Sequence, residues 1–180
     1  MLTPEDVLNF WFTESKPAQW FKKDPAFDQV IQQRFGNLHA QAAIGELYTW
    51  RGTAEGRLAE VIVLDQFSRN IYRDLAQAFG CDALALVLAQ EAVAQGLDDN
   101  LPLTERKFLY MPYMHSESLV IHEEALRLFA LPGLEENLNF EHRHRDIIAK
   151  YGRYPHRNAI LGRESTAEEL AFLQQPGSGF

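Results

Sequence analysis

Cysteine is nearly absent: Cys81 is the only one in 180 residues. No intrachain disulfide can form, and a reducing compartment fits. Long apolar runs are missing too. The longest, "ALALVLA", is far short of a membrane span. The N-terminus "MLTPEDVLNFWF" lacks a basic stretch followed by an apolar one, so no signal peptide is indicated and a cytoplasmic location follows by default. Positive charge is scarce, with 17 Lys and Arg against 25 Asp and Glu, a net −8. That disfavours a non-specific grip on nucleic acid or on an anionic membrane. The chain contains no G-x-S-x-G, no P-loop, no dinucleotide-binding glycine pattern and no H-E-x-x-H. No alternating strand pattern and no repeat of fixed period is visible.

Apolar residues recur instead at helical spacing almost everywhere. Thr3, Pro4 and Asp6 open a first helix with a capping box. Asp24 and Pro25 open a second, with the stripe Phe27, Val30, Ile31, Phe35 and Leu38. A third follows Thr53 and is apolar almost all round from Leu58 to Phe67, which predicts a central position. Asp82 reads as the cap of a helix over Ala83–Gln95, stopped by Gly96. Further helices are expected from Thr104 to near Pro112, from a Ser116 cap to Leu131, from Leu134 to Tyr151 with Gly152 at the end, and after Ser165 and Thr166. The aromatics Trp20, Phe21, Tyr48 and Trp50 in connectors seal the edge of a core more readily than they line a pocket. Short connectors imply antiparallel helical hairpins, about eight helices in an all-α stack. The expected layout is one domain over residues 1–173 and a tail over 174–180.

Three segments carry groups suited to chemistry. In "LDQFSRNIYRD", Asp65 shares the buried stripe of Leu58 and Ile62 and needs a partner. Arg69, four residues on, supplies one in the favourable order. The pair serves either as a helix lock or as a carboxylate base beside an anion anchor, with Asn70 and Arg73 extending the polar edge. In "PYMHSES", His115 and Glu117 flank Ser116 in a break between helices. They suit acid–base work, or an ordinary helix start with Ser116 as cap. A lone H-x-E is no metal signature, and no cofactor is signalled.

The third segment is "FEHRHRDIIAKYGRYPHRN". Phe140, His144, Ile147, Ile148 and Tyr151 fall on one helical face, which turns His144 inward and His142 outward. His156, Arg157 and Asn158 follow Pro155, whose ring restrains the backbone. From His142 to Arg163 the only acid is Asp146, against six Arg and Lys. Guanidinium, imidazole and amide groups held in fixed directions suit a carboxylate or phosphate. The same donors also suit the unsatisfied carbonyls at helix ends.

The stretches "WFKKDPAFDQVIQQRF", "LAEVIVLDQFSRNIYR", "AFGCDALAL", "LTERKFLYMPYMHSES", "HRHRDIIAKYGRYPHRNAILGRES" and the ending "FLQQPGSGF" together resemble the largely bacterial domain of unknown function 924 family. Ser68 stands where that family's usual residue in "DQF-x-RN" is Pro. The resemblance implies an all-α fold similar to tetratricopeptide-repeat proteins. It brings no activity and no residue roles with it.

Three functional expectations follow. The first is a binding module for a small anion or a peptide carboxylate, in a cavity lined by Asp65, Arg69, Asn70, His115, His144, His156, Arg157 and Asn158. The second is a hydrolase, with His115 or His144 as acid–base, Glu117 or Asp65 orienting it, and Arg69 or Arg157 stabilising negative charge, with or without the assistance of a metal, for which no signature stands in the sequence. The third is a scaffold in which these groups satisfy one another. No nucleic-acid or membrane partner is expected, and the residues do not specify an oligomeric state.

Overall fold

The computed structural model describes residues 2–179. The fold is all-α, with no strand among the described residues. Two compact units divide the chain: residues up to 73 with 77–112, and 74–76 with 113 onward. No described helix is long and apolar enough to cross a membrane.

The first unit begins with α1 (Pro4–Asn9), which runs on as a π-helical turn over Phe10–Glu14. The Thr3–Asp6 capping box forms as the sequence predicts: Thr3 N–H donates to the Asp6 carboxylate, and Asp6 N–H to Thr3 Oγ1. A short α2 (Pro17–Trp20) leads to α3 (Pro25–Ala43), capped by Asp24 accepting from two backbone N–H groups. Phe27, Ile31, Phe35 and Leu38 are buried as expected. Val30 is exposed, because it lies one position off their arc.

α4 (Ala54–Ile62) continues through a π-helical turn (Val63–Phe67) into α5 (Ser68–Ile71). From Leu58 to Ser68 every residue is buried, so this segment is the axis of the unit. α4 packs against α1 and α6 (Asp82–Ala94), and α3 packs against α5. Phe10, Phe35 and Phe67 pack in tilted and edge-to-face contacts with centroids 4.9–6.0 Å apart, and Trp11 reaches both Phe67 and Phe108. Trp20 closes this cluster against Trp11 and Phe108, while Tyr48 stays exposed. Gly56 is required where it stands: a Cβ there would meet the Trp50 carbonyl oxygen at 1.9 Å.

One helix start and one helix end differ here from the sequence reading. Cys81 occupies the position before α6, and Asp82 is its first residue. The Asp82 carboxylate is taken by Arg69, so it is not available as a cap. α7 (Leu103–Met114) also runs past Pro112. Proline offers no N–H to the preceding turn, but burial of Tyr113 and Met114 carries the helix on.

In the second unit, α8 (Leu119–Phe129) and α9 (Glu135–Tyr151) form a tightly packed hairpin. α8 starts later than expected. Ser116 does not cap it; Ser116 Oγ accepts from Ser118 N–H at 3.2 Å instead. Gly152 closes α9 at φ 68°, a left-handed conformation that favours glycine. α10 (Ala167–Leu173) opens on the Thr166–Glu169 capping box.

Candidate functional site

Asp65, Arg69 and Asn70 belong to the first unit. Asp65 is fully buried at the π-helical turn and accepts from Gln66 at 2.7 Å. Arg69 lies 3.4 Å from Asp65 but donates its fork to Asp82 at 2.8 and 3.0 Å. Asn70 donates to Asp28, which also takes Arg73 in a bidentate pair. The helical lock expected from the Asp65–Arg69 spacing is therefore shared with Asp82, a partner thirteen residues on.

The other predicted residues belong to the second unit, where Tyr154 is the hub. Tyr154 is buried, and its hydroxyl donates to the Met114 carbonyl at 2.6 Å. Its backbone N–H donates to Glu117 at 2.8 Å. Glu117 also accepts both arms of Arg163, at 2.7 and 2.9 Å. Burial pushes the Glu117 carboxyl up, but the bonds from Arg163 and Tyr154 outweigh it and hold it below its usual range. Glu117 thus fastens the 151–158 loop.

Asn158 is fixed in the same way. Its amide donates to Ser165 and Glu169, and its carbonyl accepts from Arg163 at 2.9 Å. Glu169 in turn accepts a bidentate pair from Arg153. Those bonds, with the Thr166 N–H and Asn158, hold its carboxyl down to about 2. Arg157 is buried, donates to the His115 carbonyl at 3.0 Å, and lies 4.7 Å from the Tyr154 ring centroid.

The imidazoles gather on the same tyrosine. His144 and His156 have centroids 5.7 and 5.6 Å from the Tyr154 ring. His144 is buried as the sequence predicts, and its Nδ1–H donates to the Phe140 carbonyl at 2.7 Å. Burial drives its pKa down to about 3, against that hydrogen bond, with the charges of His115, His122 and His156 adding to the fall. The ring is neutral, so Nε2 is an acceptor. Phe140, placed on the inward face by the sequence reading, is 40% exposed, and Glu141 takes the inward position.

Sequence reasoning missed His122 and Glu141. Both are fully buried, with His122 Nδ1 2.5 Å from Glu141 Oε1. His122 Nε2 lies 2.8 Å from the Ser116 carbonyl, which can only accept, so Nε2 carries a hydrogen. One further proton is shared between Nδ1 and Oε1. Burial raises the Glu141 carboxyl above its usual range, against the pull of His122. The other carboxylate oxygen, Oε2, is buried without a hydrogen-bond partner. A signal for the pair did exist: His122–Ala125–Phe129, with one ionisable group, and Glu141–His144–Ile148, with two, are helical stripes on the two arms of one hairpin. Despite the density of histidine, no three or more His, Cys, Asp or Glu among the described residues converge as a metal site.

The chain can be set beside known proteins on this basis. The family model described as a bacterial protein of unknown function (DUF924) matches residues 7–177. A solved structure of a protein of unknown function, ATU0120 from Agrobacterium tumefaciens, is similar at 40% identity and a TM-score of 0.89. The match covers 95% of this chain and 96% of that one. No curated protein matches. The chain belongs to the bacterial DUF924 family.

Proposed function

We propose that the protein is a binding module whose second unit holds a small anion, or the carboxylate of a peptide, against His115, His156 and Arg157. One observation carries this reading: the imidazoles of His122, His144 and His156 and a buried guanidinium gather round Tyr154, while Glu117, the acid beside them, is already engaged by Arg163. A fixed guanidinium with adjacent imidazole donors is a carboxylate- or phosphate-binding chemistry. His115 and His156 are partly exposed, which leaves a side from which an ion can reach them. Neutral His144 stands behind as an acceptor.

The hydrolase reading draws less support. Glu117 is engaged by Arg163 and Tyr154. The His122–Glu141 pair has the order of an acid–base relay, but its outer nitrogen already donates to Ser116 and both side chains are fully buried. The scaffold reading accounts well for Asp65, Arg69, Asn70, Glu117 and Asn158, and less well for the histidines.

The test follows imidazole resonances by NMR while inorganic phosphate, then acetate, is added. Shifts in His115 and His156 that saturate, lost for both in Arg157→Gln and for His115 in His156→Ala, are the expected result. Resonances unmoved up to about 50 mM of either anion, weaker than any specific site of interest, would overturn it. So would an unchanged His115 titration in His156→Ala, a partly exposed position.

A further inference from the structure

A second feature of this unit, separate from the Tyr154 cluster, is a groove of about 610 Å³ lined by Phe140, Arg143, Asp146, Ile147, Phe172 and the 176–179 tail. Its volume falls within the range of small-molecule sites. Its walls are two aromatic rings, an aliphatic side chain and a proline. Phe140 is 40% exposed there, a large apolar ring left in solvent on an otherwise polar helix.

Two opposite charges enter the same groove without meeting. Arg143 and Asp146 sit three apart on α9, where side chains are neighbours, yet no ion pair joins them. No carboxylate of the described residues lies within ion-pair distance of Arg143; its guanidinium rests 5.6 Å from the Phe140 ring centroid. Asp146 has Arg145 only at 3.8 Å, and Arg145 is committed to Glu123 at 2.6 Å. Asp146 keeps 76% of its side-chain surface exposed.

The geometry points to a binding site for a zwitterion carrying an apolar side chain, an α-amino acid or a dipeptide. Its carboxylate meets the planar fork of Arg143. Its ammonium meets Asp146. Its side chain covers Phe140, Phe172 and Ile147, removing their apolar surface from water. A simple anion would use Arg143 but would be repelled by Asp146 and would leave the rings bare. A simple cation would fail on Arg143 in the same way. Only a ligand with both charges and an apolar body answers all three features.

Isothermal titration of the full chain tests this with L-phenylalanine and phenylalanylphenylalanine as the two probes. N-acetyl-L-phenylalanine, without the ammonium, and L-phenylalaninamide, without the carboxylate, serve as controls. The expected result is binding of at least one probe, whichever size fits better, weakened about tenfold or more by either cap. Arg143→Gln should abolish the penalty of amidation, and Asp146→Asn that of acetylation. Both positions reach solvent at the groove, so circular dichroism of the variants should match the wild type. Failure of both probes to bind below about 10 mM, capped compounds binding as well as the parent, or unchanged affinity in both variants would overturn the assignment.

Discussion

His122 Nδ1 and Glu141 Oε1 stand 2.5 Å apart across the α8–α9 hairpin, both side chains out of reach of solvent. A buried pair of this kind stabilises little against a well-packed apolar replacement, but removing one member leaves the other stranded. We expect Glu141→Ala and His122→Ala each to lower unfolding free energy by about 3–5 kcal/mol. The double replacement, His122→Ala with Glu141→Ala, should cost far less than the two single losses combined. Urea unfolding of the four proteins measures the cycle. Additive losses would show that the two side chains are not coupled.

His144 makes stability depend on pH. Unfolded, it titrates near its ordinary 6.5; folded, burial holds it near 3. Between those values the unfolded chain binds the extra proton, so stability is full above pH 6.5 and falls as pH drops toward 3. His39, lowered by burial, adds the same sign. Glu141 has the opposite sign: its raised carboxyl contributes below its ordinary range, and that contribution fades as pH rises through the folded value. His144→Asn, which can keep a donor toward Phe140, should flatten the fall between pH 6.5 and 4.5 by up to about one proton. Urea midpoints across that range give the comparison, and parallel curves would refute it.

Glu117 is expected to be worth more than an ordinary ion pair. It fastens both Arg163 and the Tyr154 backbone. Glu117→Ala should cost about 1–3 kcal/mol, because a half-buried N–H and a guanidinium lose their acceptor together. Glu124→Ala, breaking the exposed Glu124–Arg127 pair, should stay within about 0.5 kcal/mol. Equal thermal shifts for the two variants would count against the loop-fastening role.

Gly56→Ala should be among the most damaging conservative changes in the first unit. The new methyl would overlap the Trp50 carbonyl oxygen, so the 48–52 turn or α4 must move. A loss above about 1 kcal/mol is expected, as for other overpacked sites. Gly36→Ala is the control, because its nearest neighbour is the flexible end of Gln32. A drop in melting temperature no larger than that of the control would refute the contact.

Local signals in the sequence were reliable where the physics is local. The Thr3, Asp24, Thr53 and Thr166 starts and the Gly96 and Gly152 stops all appear in the structure. Capping and left-handed glycine depend on a few adjacent residues. The central position of 58–67 was legible too, since a helix apolar on every side has to be surrounded. Helix boundaries failed where tertiary contacts intervened: Asp82 was claimed by Arg69, and α7 was carried past Pro112 by burial of Tyr113 and Met114.

By itself, the sequence determined an all-α chain, the order of its helices, and the inward turn of Asp65 and His144. Only the tertiary structure decided what those groups do. It gave Asp82 to Arg69, Arg163 to Glu117 and Glu141 to His122, and it left Arg143 and Asp146 side by side in a groove without pairing them. Helical periodicity reports which face of a helix is buried to within about one position, which is why Phe140 was expected where Glu141 stands. A charged side chain chooses its partner through contacts between residues remote in sequence, and no local pattern records that choice.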